Sequence, residues 1–437
     1  MTRSVQTLIR AGFARVRLTP PLGTRMYGFG RRDRASGCHA VHDDLFVRVL
    51  HLTQGQEEAL ICSFDLLFFS RAQADQIKGV LGRVLGILPK QILLNTSHTH
   101  AGPMPGAGTW HHADYCEPDR LYFPIIEAAT VEAACRAKDT AREATLSAGT
   151  TQTTLPISRR LPTSQGKIVF APHPTGQVYR DVPLCLIRDR RGKPICLLFS
   201  VACHPSSIVG HAISADYPGV AMNLLDEHLG TTCSLFLQGT GADAKPIFTA
   251  GDGGFTTASW HAVHQGGRLV AEEVTRALDD HLEAVAPRLR ARLMAADFPL
   301  QRLPGRATYE EIASDPSQDE CRRLWAARQL ARLKSGLPLL RAVPILVQMV
   351  ALGQRLQLVG IEAEVVAALG ILVRDFWGGV TFPLGYCNGT QCYLPTSRMI
   401  EQEGGYEVES YWEYGLPAPL APGIERILRR TLSAPRR

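Results

Sequence analysis

The sequence lacks the features that would place the chain in a membrane or in a disulfide-rich secreted fold. Its longest apolar run, residues 343–352, is interrupted by Gln348 and falls far short of the ~20 residues of a membrane-spanning helix. The first ten residues hold no apolar segment long enough for a signal peptide. The eleven cysteines include no C-x-x-C pair and often lie in apolar runs, as reduced and buried thiols do. We therefore expect a cytoplasmic protein without stable membrane insertion.

Strong charge of either sign is also missing. The 47 basic and 41 acidic residues give a formal net charge of +6, and the basic residues are scattered in short pairs. A nucleic-acid-binding surface instead concentrates them in a patch or stripe, so we expect no nucleic-acid partner. No internal repeat or long linker divides the chain. We expect one catalytic domain over 1–437 with a peripheral helical insertion over 304–340.

The order of predicted elements indicates an α/β fold. Two strands are predicted over 45–52 and 59–64 from their β-branched and apolar residues. Ser70 can cap a helix over 71–85, whose apolar residues share one face, and a short apolar strand follows at 91–94. Strand, helix and strand form a βαβ unit. We expect a central mixed β-sheet flanked by helices, with the active site at the carboxyl ends of strands.

The same patterns extend along the rest of the chain. Further predicted helices cover 123–142, a segment from the N-cap Asp216 to about 229, 260–282 and 423–432. Further predicted strands cover 150–157, 193–201, 233–237, 288–303, 345–352, 355–361 and 380–384. Several of these strands end in polar side chains.

The segment His98-Thr99-His100 is the first candidate for chemistry. It follows the strand at 91–94 and precedes Gly102-Pro103, which ends regular structure. In an extended chain the two imidazoles would point to the same side, because strand side chains alternate. They could hold a divalent metal or pair a metal ligand with a proton-transfer group. The alternative is two polar loop histidines without a function.

Other candidates also follow apolar strands. His204, Asp243, Glu364 and Tyr393 lie at the ends of other strands, and two histidines from separate strands plus one carboxylate would give a His₂Glu set, the ligand type of hydrolytic zinc sites. Asp243 could orient a ligating histidine or fix its own loop. Each candidate also has a purely structural alternative. His98 and His204 could be hydrogen-bonded core histidines, Glu364 could form an ion pair with an arginine, and Tyr393 could be a buried tyrosine whose hydroxyl has a hydrogen-bond partner.

Several stretches together resemble the neutral (alkaline, non-lysosomal) ceramidases and their bacterial relatives. In order they are Thr19-Pro20-Pro21-Leu22-Gly23, Ser97-His98-Thr99-His100-Ala101-Gly102-Pro103, Cys203-His204-Pro205, Ser214-Ala215-Asp216-Tyr217-Pro218-Gly219, Phe236-Leu237-Gln238-Gly239 with Asp243, residues 389–395 and Glu403-Gly404-Gly405-Tyr406-Glu407. The second stretch is similar to the family signature Ser-His-Thr-His-Ser-Gly-Pro. The likeness spans nearly the whole chain.

The resemblance implies a ceramidase catalytic-domain-like fold, a catalytic Zn²⁺ and hydrolysis of an N-acyl amide. Carried over residue by residue, the implied metal ligands are His98, His204, Glu364 and Tyr393. His100 would position or protonate the reacting groups. Arg159 would match the arginine of the family's Asn-Arg motif.

The chain also departs from the family pattern. Lys245 stands where the family has a serine proposed for catalysis, and Ser158 replaces the asparagine before Arg159. Glu362 is a competing ligand beside Glu364. From the length we expect no C-terminal β-sandwich domain of the kind that true ceramidases have. A lysine at the site favours a substrate with an anionic group such as a carboxylate, unless Lys245 points to solvent.

We therefore predict a zinc-dependent amidohydrolase acting on a small-molecule amide, with or without an acyl chain. Water activated by the metal would attack the carbonyl, Tyr393 or Arg159 would stabilise the oxyanion, and His100 would pass a proton to the leaving amine. Lys245 is a further catalytic candidate. The alternatives are an ester or lactone hydrolase, an amide-processing or amide-forming enzyme of a specialised pathway, and an inactive binding homologue.

Overall fold

The chain forms two stacked β-sheets covered by helices. The computed structural model describes residues 8–30, 32–33, 35–103, 105, 117–280 and 282–434. The strands are β1 (Arg10–Arg17), β2 (Ala40–Val41), β3 (Phe46–Gln54), β4 (Glu57–Phe64), β5 (Ile92–Thr96), β6 (Arg142–Gln152), β7 (Pro156–Pro162), β8 (Ile168–His173), β9 (Asp181–Asp189), β10 (Pro194–Val201), β11 (Ala212–Ile213), β12 (Ser234–Gln238), β13 (Ala244–Pro246), β14 (Ala250–Gly251), β15 (Gly254–Phe255), β16 (Glu283–Val285), β17 (Pro287–Pro299), β18 (Ala342–Gly353), β19 (Leu356–Ile361), β20 (Glu364–Val365), β21 (Val380–Leu384) and β22 (Tyr393–Leu394). The α-helices are α1 (Arg71–Leu85), α2 (Glu117–Asp139), α3 (Asp216–Leu229), α4 (Trp260–Asp279), α5 (Arg306–Ser314), α6 (Glu320–Lys334), α7 (Ala367–Trp377), α8 (Tyr406–Glu409) and α9 (Ile424–Leu432).

Both large sheets mix parallel and antiparallel pairs, which confirms the predicted α/β class. The nine-stranded sheet has the order β12-β10-β9-β6-β1-β3-β4-β5, with β16 beside β6. Its two parallel pairs, β10–β12 and β4–β5, lie at opposite ends of that order. The four-stranded sheet has the order β17-β18-β19-β21, and only its β19–β21 pair is parallel.

Side chains alternate between the two faces of a strand, so neighbouring residues of one strand pack into different cores. In β19, Leu358 belongs to the core between the two sheets, whereas Val359 belongs to the core beneath α7 and α9. Helices α1 and α2 cover one part of the nine-stranded sheet, and α3 and α4 cover another. Each fully buried aliphatic side chain contributes about 1.5–3 kcal/mol to these contacts. Among the described residues, no helix has the length and apolarity needed to cross a bilayer.

Helix α1 has the predicted bounds, 71–85. The Ser70 side chain accepts a hydrogen bond from the Gln73 N–H, and the Gln73 side chain accepts one from the Ser70 N–H, which forms a capping box. Gly86, at φ 75°, ends the helix in the left-handed conformation. Local signals at both ends therefore fix the helix that precedes the candidate site.

Three local predictions are wrong. The strand expected over 150–157 is two strands, because the Thr153 hydroxyl accepts the Leu155 N–H in a turn between β6 and β7. The helix expected over 123–142 runs from Glu117 to Asp139, since Arg142 pairs with β1 as a strand residue. Asp216 is not the N-cap of α3. Its carboxylate instead accepts the Ser207 N–H and hydroxyl, and its φ is 59°.

One buried side chain joins the strand ends on which the candidate site is built. Asn95, in β5, accepts the Gln238 N–H at 2.8 Å and donates to the Gly385 carbonyl at 2.8 Å. These partners lie in β12 and just after β21, so a single amide links both sheets. Its position allows the carboxyl ends of the parallel strands to converge.

Asn95→Ala is expected to lower the free energy of unfolding by about 2–4 kcal/mol, because it leaves the buried Gln238 N–H without its acceptor and removes the amide donor to the Gly385 carbonyl. Denaturant titration followed by circular dichroism measures the change. Asn223→Ala, on the exposed face of α3, is the matched control and is expected to stay within about 0.5 kcal/mol of wild type. Equal stability of the two variants would show that Asn95 does not hold the sheets together.

Candidate metal centre

Three predicted ligands meet at the carboxyl ends of strands. His98 follows β5, His204 follows β10, and Glu364 opens the short strand β20. All three are at most 2% exposed. His98 has φ 63°, so the chain at the motif is turned and not extended as the sequence pattern suggested. Such a backbone is sparsely populated for a residue with a side chain and is typical of functional sites.

The ligand atoms lie at separations that suit a shared metal ion. Glu364 Oε2 is 3.5 Å from His98 Nε2 and 3.4 Å from His204 Nε2. His100 Nε2 is 3.1 Å from His98 Nε2, and the ring nitrogens of the three histidines all lie within 4.8 Å of one another. Ligands about 2.0–2.1 Å from a tetrahedral ion are themselves about 3.3 Å apart. A buried His98/His100/His204 group that could bind a metal is therefore present, with Glu364 beside it.

Backbone carbonyls orient the imidazoles. His98 Nδ1 donates to the Leu67 carbonyl at 2.9 Å, and His204 Nδ1 donates to the Gly241 carbonyl at 2.8 Å. Each bond fixes the tautomer that leaves Nε2 free, as is usual for metal-binding histidines. His204 Nε2 is buried and has no hydrogen-bond partner among the described residues. A buried His204 Nε2 that faces the Glu364 carboxylate and accepts no hydrogen bond from the described part of the chain is suited to bind a metal ion.

The protonation states also fit. Burial lowers the pKa of His98 to about 4 and lowers the pKa values of His100 and His204. Burial alone would raise the pKa of Glu364, but His98 and His204 hold it well below its usual range. Neutral imidazoles beside an ionised carboxylate are the forms that coordinate a cation.

Two tyrosines that the sequence analysis did not identify hold Glu364. Tyr386 donates to Glu364 Oε2 at 3.1 Å, and Tyr414 donates to Oε1. The Tyr386 ring also stacks on His98, with centroids 4.3 Å apart. These contacts fix both the carboxylate and one imidazole.

Tyr393 lies beside Glu364, and Arg159 lies beside Tyr393. Tyr393 pairs directly with Glu364 in the β20–β22 register, and its ring lies 5.4 Å from Arg159 Cζ. Arg159 Nε donates to Glu407 at 2.8 Å, while Arg159 Nη2 is buried without a hydrogen-bond partner among the described residues. Burial alone would lower the pKa of Arg159, but Tyr393 and Glu407 raise it above its ordinary value. The neighbouring Arg160 forms ion pairs with Glu403 and with the same Glu407.

The His100 imidazole packs directly against Gly28, where a larger residue would not fit. Gly28 has φ 110°, and a Cβ there would lie 2.6 Å from His100 Cγ. Phe29 meets the imidazole edge-on at 4.9 Å, and Arg32 Nη2 donates to the His100 carbonyl at 2.8 Å. Gly28, Phe29 and Arg32 therefore form one wall around His100.

The other sequence candidates have different partners. Lys245 is 6% exposed and so does not point to solvent, and its ammonium donates to the Ser206 hydroxyl at 2.6 Å. Glu362 binds Arg71 and accepts from Gln391 and the Leu346 N–H, so it is held away from the histidines.

The Asp243 carboxylate accepts the Ala367 N–H at 2.8 Å. Neither nitrogen of His204 is bonded to it, because the Nδ1 partners are the carbonyls of Gly241 and Ala244. Asp243 therefore fixes its loop, the second of the two roles considered for it.

A cavity of about 130 Å³ opens onto the centre. Its described lining residues are Met26, Tyr27, Gly28, Phe29, Gly30, Leu67, Phe68, His98, His100, Glu364, Tyr393, Tyr406, Glu413 and Tyr414. Lys245 and Arg159 are not among them. The volume is close to that of a protein cavity that holds one benzene molecule, ~150 Å³.

Comparison with known proteins shows the fold. No protein-family model and no curated protein matches the chain. A solved structure described as ceramidase complexed with C2 superposes with a TM-score of 0.72 at 15% identity, covering 98% of this chain and 74% of the other. The neutral ceramidase of Pseudomonas aeruginosa gives a TM-score of 0.71 at 15% identity, covering 98% and 73%. The predicted ceramidase-like fold is confirmed.

Proposed function

We propose that the protein is a zinc-dependent hydrolase that cleaves the carbon–nitrogen bond of an N-acyl amide. The observation that carries this proposal is the placement of Glu364 Oε2 at 3.4–3.5 Å from two imidazole nitrogens in a buried cavity. The ceramidase-like fold supports the same reading, since one of the similar structures is described as a complex with C2. His98, His204 and Glu364 would hold the metal, with Tyr393 as a fourth ligand.

A bound Zn²⁺ would supply Lewis acidity and an activated water. The chain's own residues would do the rest. The wall of Met26, Phe29 and Phe68 would exclude water from the acyl group. Tyr393 would donate a hydrogen bond to the developing oxyanion, and Arg159 behind its ring would favour that charge.

His100 would carry the proton. Its Nε2 faces the centre, and its Nδ1 has no hydrogen-bond partner among the described residues. Water would add its oxygen to the carbonyl carbon and give a proton to His100 Nε2, the carbon–nitrogen bond would break, and His100 Nε2 would deliver that proton to the departing amine. The products are a carboxylate and, with the second proton of the water, an ammonium. Lys245 has no place in these steps, because Ser206 holds its ammonium and it does not line the cavity.

Amine release from short N-acyl amides tests the proposal. Protein freed of metal by chelation should be inactive, and one equivalent of zinc should restore release of the amine. Esters and lactones of the same acyl groups serve as the comparison substrates. Turnover of these without amide cleavage would favour an ester or lactone hydrolase, and zinc binding without any turnover would favour an inactive binding homologue.

A further inference from the structure

The cavity beside the metal centre has two chemically different walls. One wall is apolar and includes Met26, Phe29, Leu67 and Phe68. A second wall is polar and comes from the segment 406–414, which contributes two tyrosines and Glu413. An acyl group suits the first wall, so the amine part of an amide would face the second.

Glu413 is the carboxylate on the polar wall that has an oxygen to spare. Its Oε2 accepts a hydrogen bond from the Tyr406 hydroxyl at 2.9 Å, and no described residue bonds its Oε1. Glu364, the other carboxylate that lines the cavity, is bound on both oxygens by Tyr386 and Tyr414. Glu413 is only partly buried and lines the cavity, so its Oε1 is accessible to a hydrogen-bond donor on a bound ligand.

Contacts of Tyr406 and Tyr414 fix the position of Glu413. The Tyr406 ring lies 5.2 Å from Arg159 Cζ and packs edge-on against Tyr393 and Phe170. Tyr414, the next residue after Glu413, bonds Glu364, so one short 3₁₀ segment places both carboxylates. Burial raises the pKa of Glu413 to about 7 and outweighs the hydrogen bond from Tyr406, and the nearby Glu364 carboxylate raises it further.

We propose that Glu413 is a specificity-determining residue that selects amides whose amine part carries a second, positively charged amino group. The inference rests on the proposed function, because it places the amine product on the polar wall. A substrate ammonium would bond the free Oε1, while the amide carbonyl lies at the metal centre. The buried Lys245 had suggested an anionic substrate, but its ammonium is bound to Ser206 and lies outside the cavity lining.

A charge series at constant length tests this inference. Methanesulfonyl amides of putrescine, pentylamine and δ-aminovaleric acid end in a cationic, a neutral and an anionic group, and they resist hydrolysis. Calorimetric titration of the zinc-loaded protein should show the cationic probe binding at least about tenfold more tightly than the neutral one, as a charge-assisted hydrogen bond predicts. The anionic probe should bind most weakly.

Glu413→Gln should reduce the preference for the cationic probe to about twofold or less, while its affinity for the neutral probe stays the same. Glu409→Gln, an exposed carboxylate in the same segment, removes the same charge and should keep the full preference. Equal affinities in the wild type, tighter binding of the anionic probe, or an unchanged preference in Glu413→Gln would each overturn the inference. The parent acetyl amides separate the two proposals: a persistent charge preference without amide hydrolysis would reject the hydrolase and retain Glu413 as the recognition residue.

Discussion

His98→Ala and His204→Ala are each expected to remove the metal from the protein and, with it, amide hydrolysis. The wild type should bind about one zinc per chain, because Nε2 of each histidine lies within 3.5 Å of the same Glu364 oxygen. Loss of an outer-shell partner alone weakens metal binding by about 10–100-fold, so loss of a ligand should weaken it by more than about 100-fold. Elemental analysis after gel filtration in zinc-free buffer measures the bound metal.

The control is His261→Ala, an exposed histidine on α4 far along the chain from the site. It should keep both metal and activity, which separates loss of a ligand from a general effect of removing histidine. Circular dichroism checks that the variants remain folded. Metal retained in both site variants, or a wild type that takes up no zinc when zinc is offered, would contradict the metal centre.

The fold was predictable where local signals agree with the tertiary structure. Helix α1 has a cap, a terminal glycine and one apolar face, and its predicted bounds are correct. The prediction over 150–157 failed because its threonines and the apolar residues that follow them all suit a strand, and only the side-chain turn at Thr153 divides the segment. The stacking of two sheets depends on long-range pairs such as Asn95 with Gly385, which leave no periodic pattern in the sequence.

The candidate site was predictable only in part, for the same reason. His98, His204 and Glu364 each follow an apolar strand, and the structure places an imidazole nitrogen of each histidine within 3.5 Å of Glu364 Oε2. The strand pattern alone did not single them out among the candidates, and their role as metal ligands stays a prediction. Tyr386 and Tyr414 lie in irregular segments, and their bonds to Glu364 exist only in the folded chain. The repeated tyrosines between Tyr406 and Tyr414 were the available signal for a polar wall, because tyrosine combines an apolar ring with a hydrogen-bonding group.

The contacts of Lys245 favour a different role from the catalytic one predicted from the sequence. Its place in the sequence suggested a group that acts on the substrate. In the structure, burial lowers the pKa of Lys245 to about 8, and the ammonium bonds both the carbonyl and the hydroxyl of Ser206, two residues after His204. The arrangement supports the loop that carries a proposed ligand. We therefore propose that Lys245 stabilises this loop and takes no part in the chemistry.

His100→Gln is expected to lower kcat by about 10²–10⁴-fold, the usual contribution of a general acid–base group. Glutamine approximates the reach of the imidazole to Nε2 but cannot carry a proton between reacting groups. Two roles remain open to His100, because its Nε2 lies 3.1 Å from His98 Nε2 and belongs to the group of three histidines that could bind a metal. Metal content therefore has to be measured beside the rate.

If His100 carries the proton, the His100→Gln variant should keep about one zinc per chain while its kcat falls. The matched comparison is His98→Gln, the same substitution at a proposed ligand, which should lose metal and activity together. Loss of zinc in both variants would instead make His100 a third histidine ligand, and Tyr393 would then be free to act on the oxyanion alone. Unchanged kcat in His100→Gln would remove His100 from the mechanism, even though Gly28 and Phe29 are arranged around its ring. The two measurements together decide the role of His100. Sequence spacing could not decide it, because either role requires the same position beside His98.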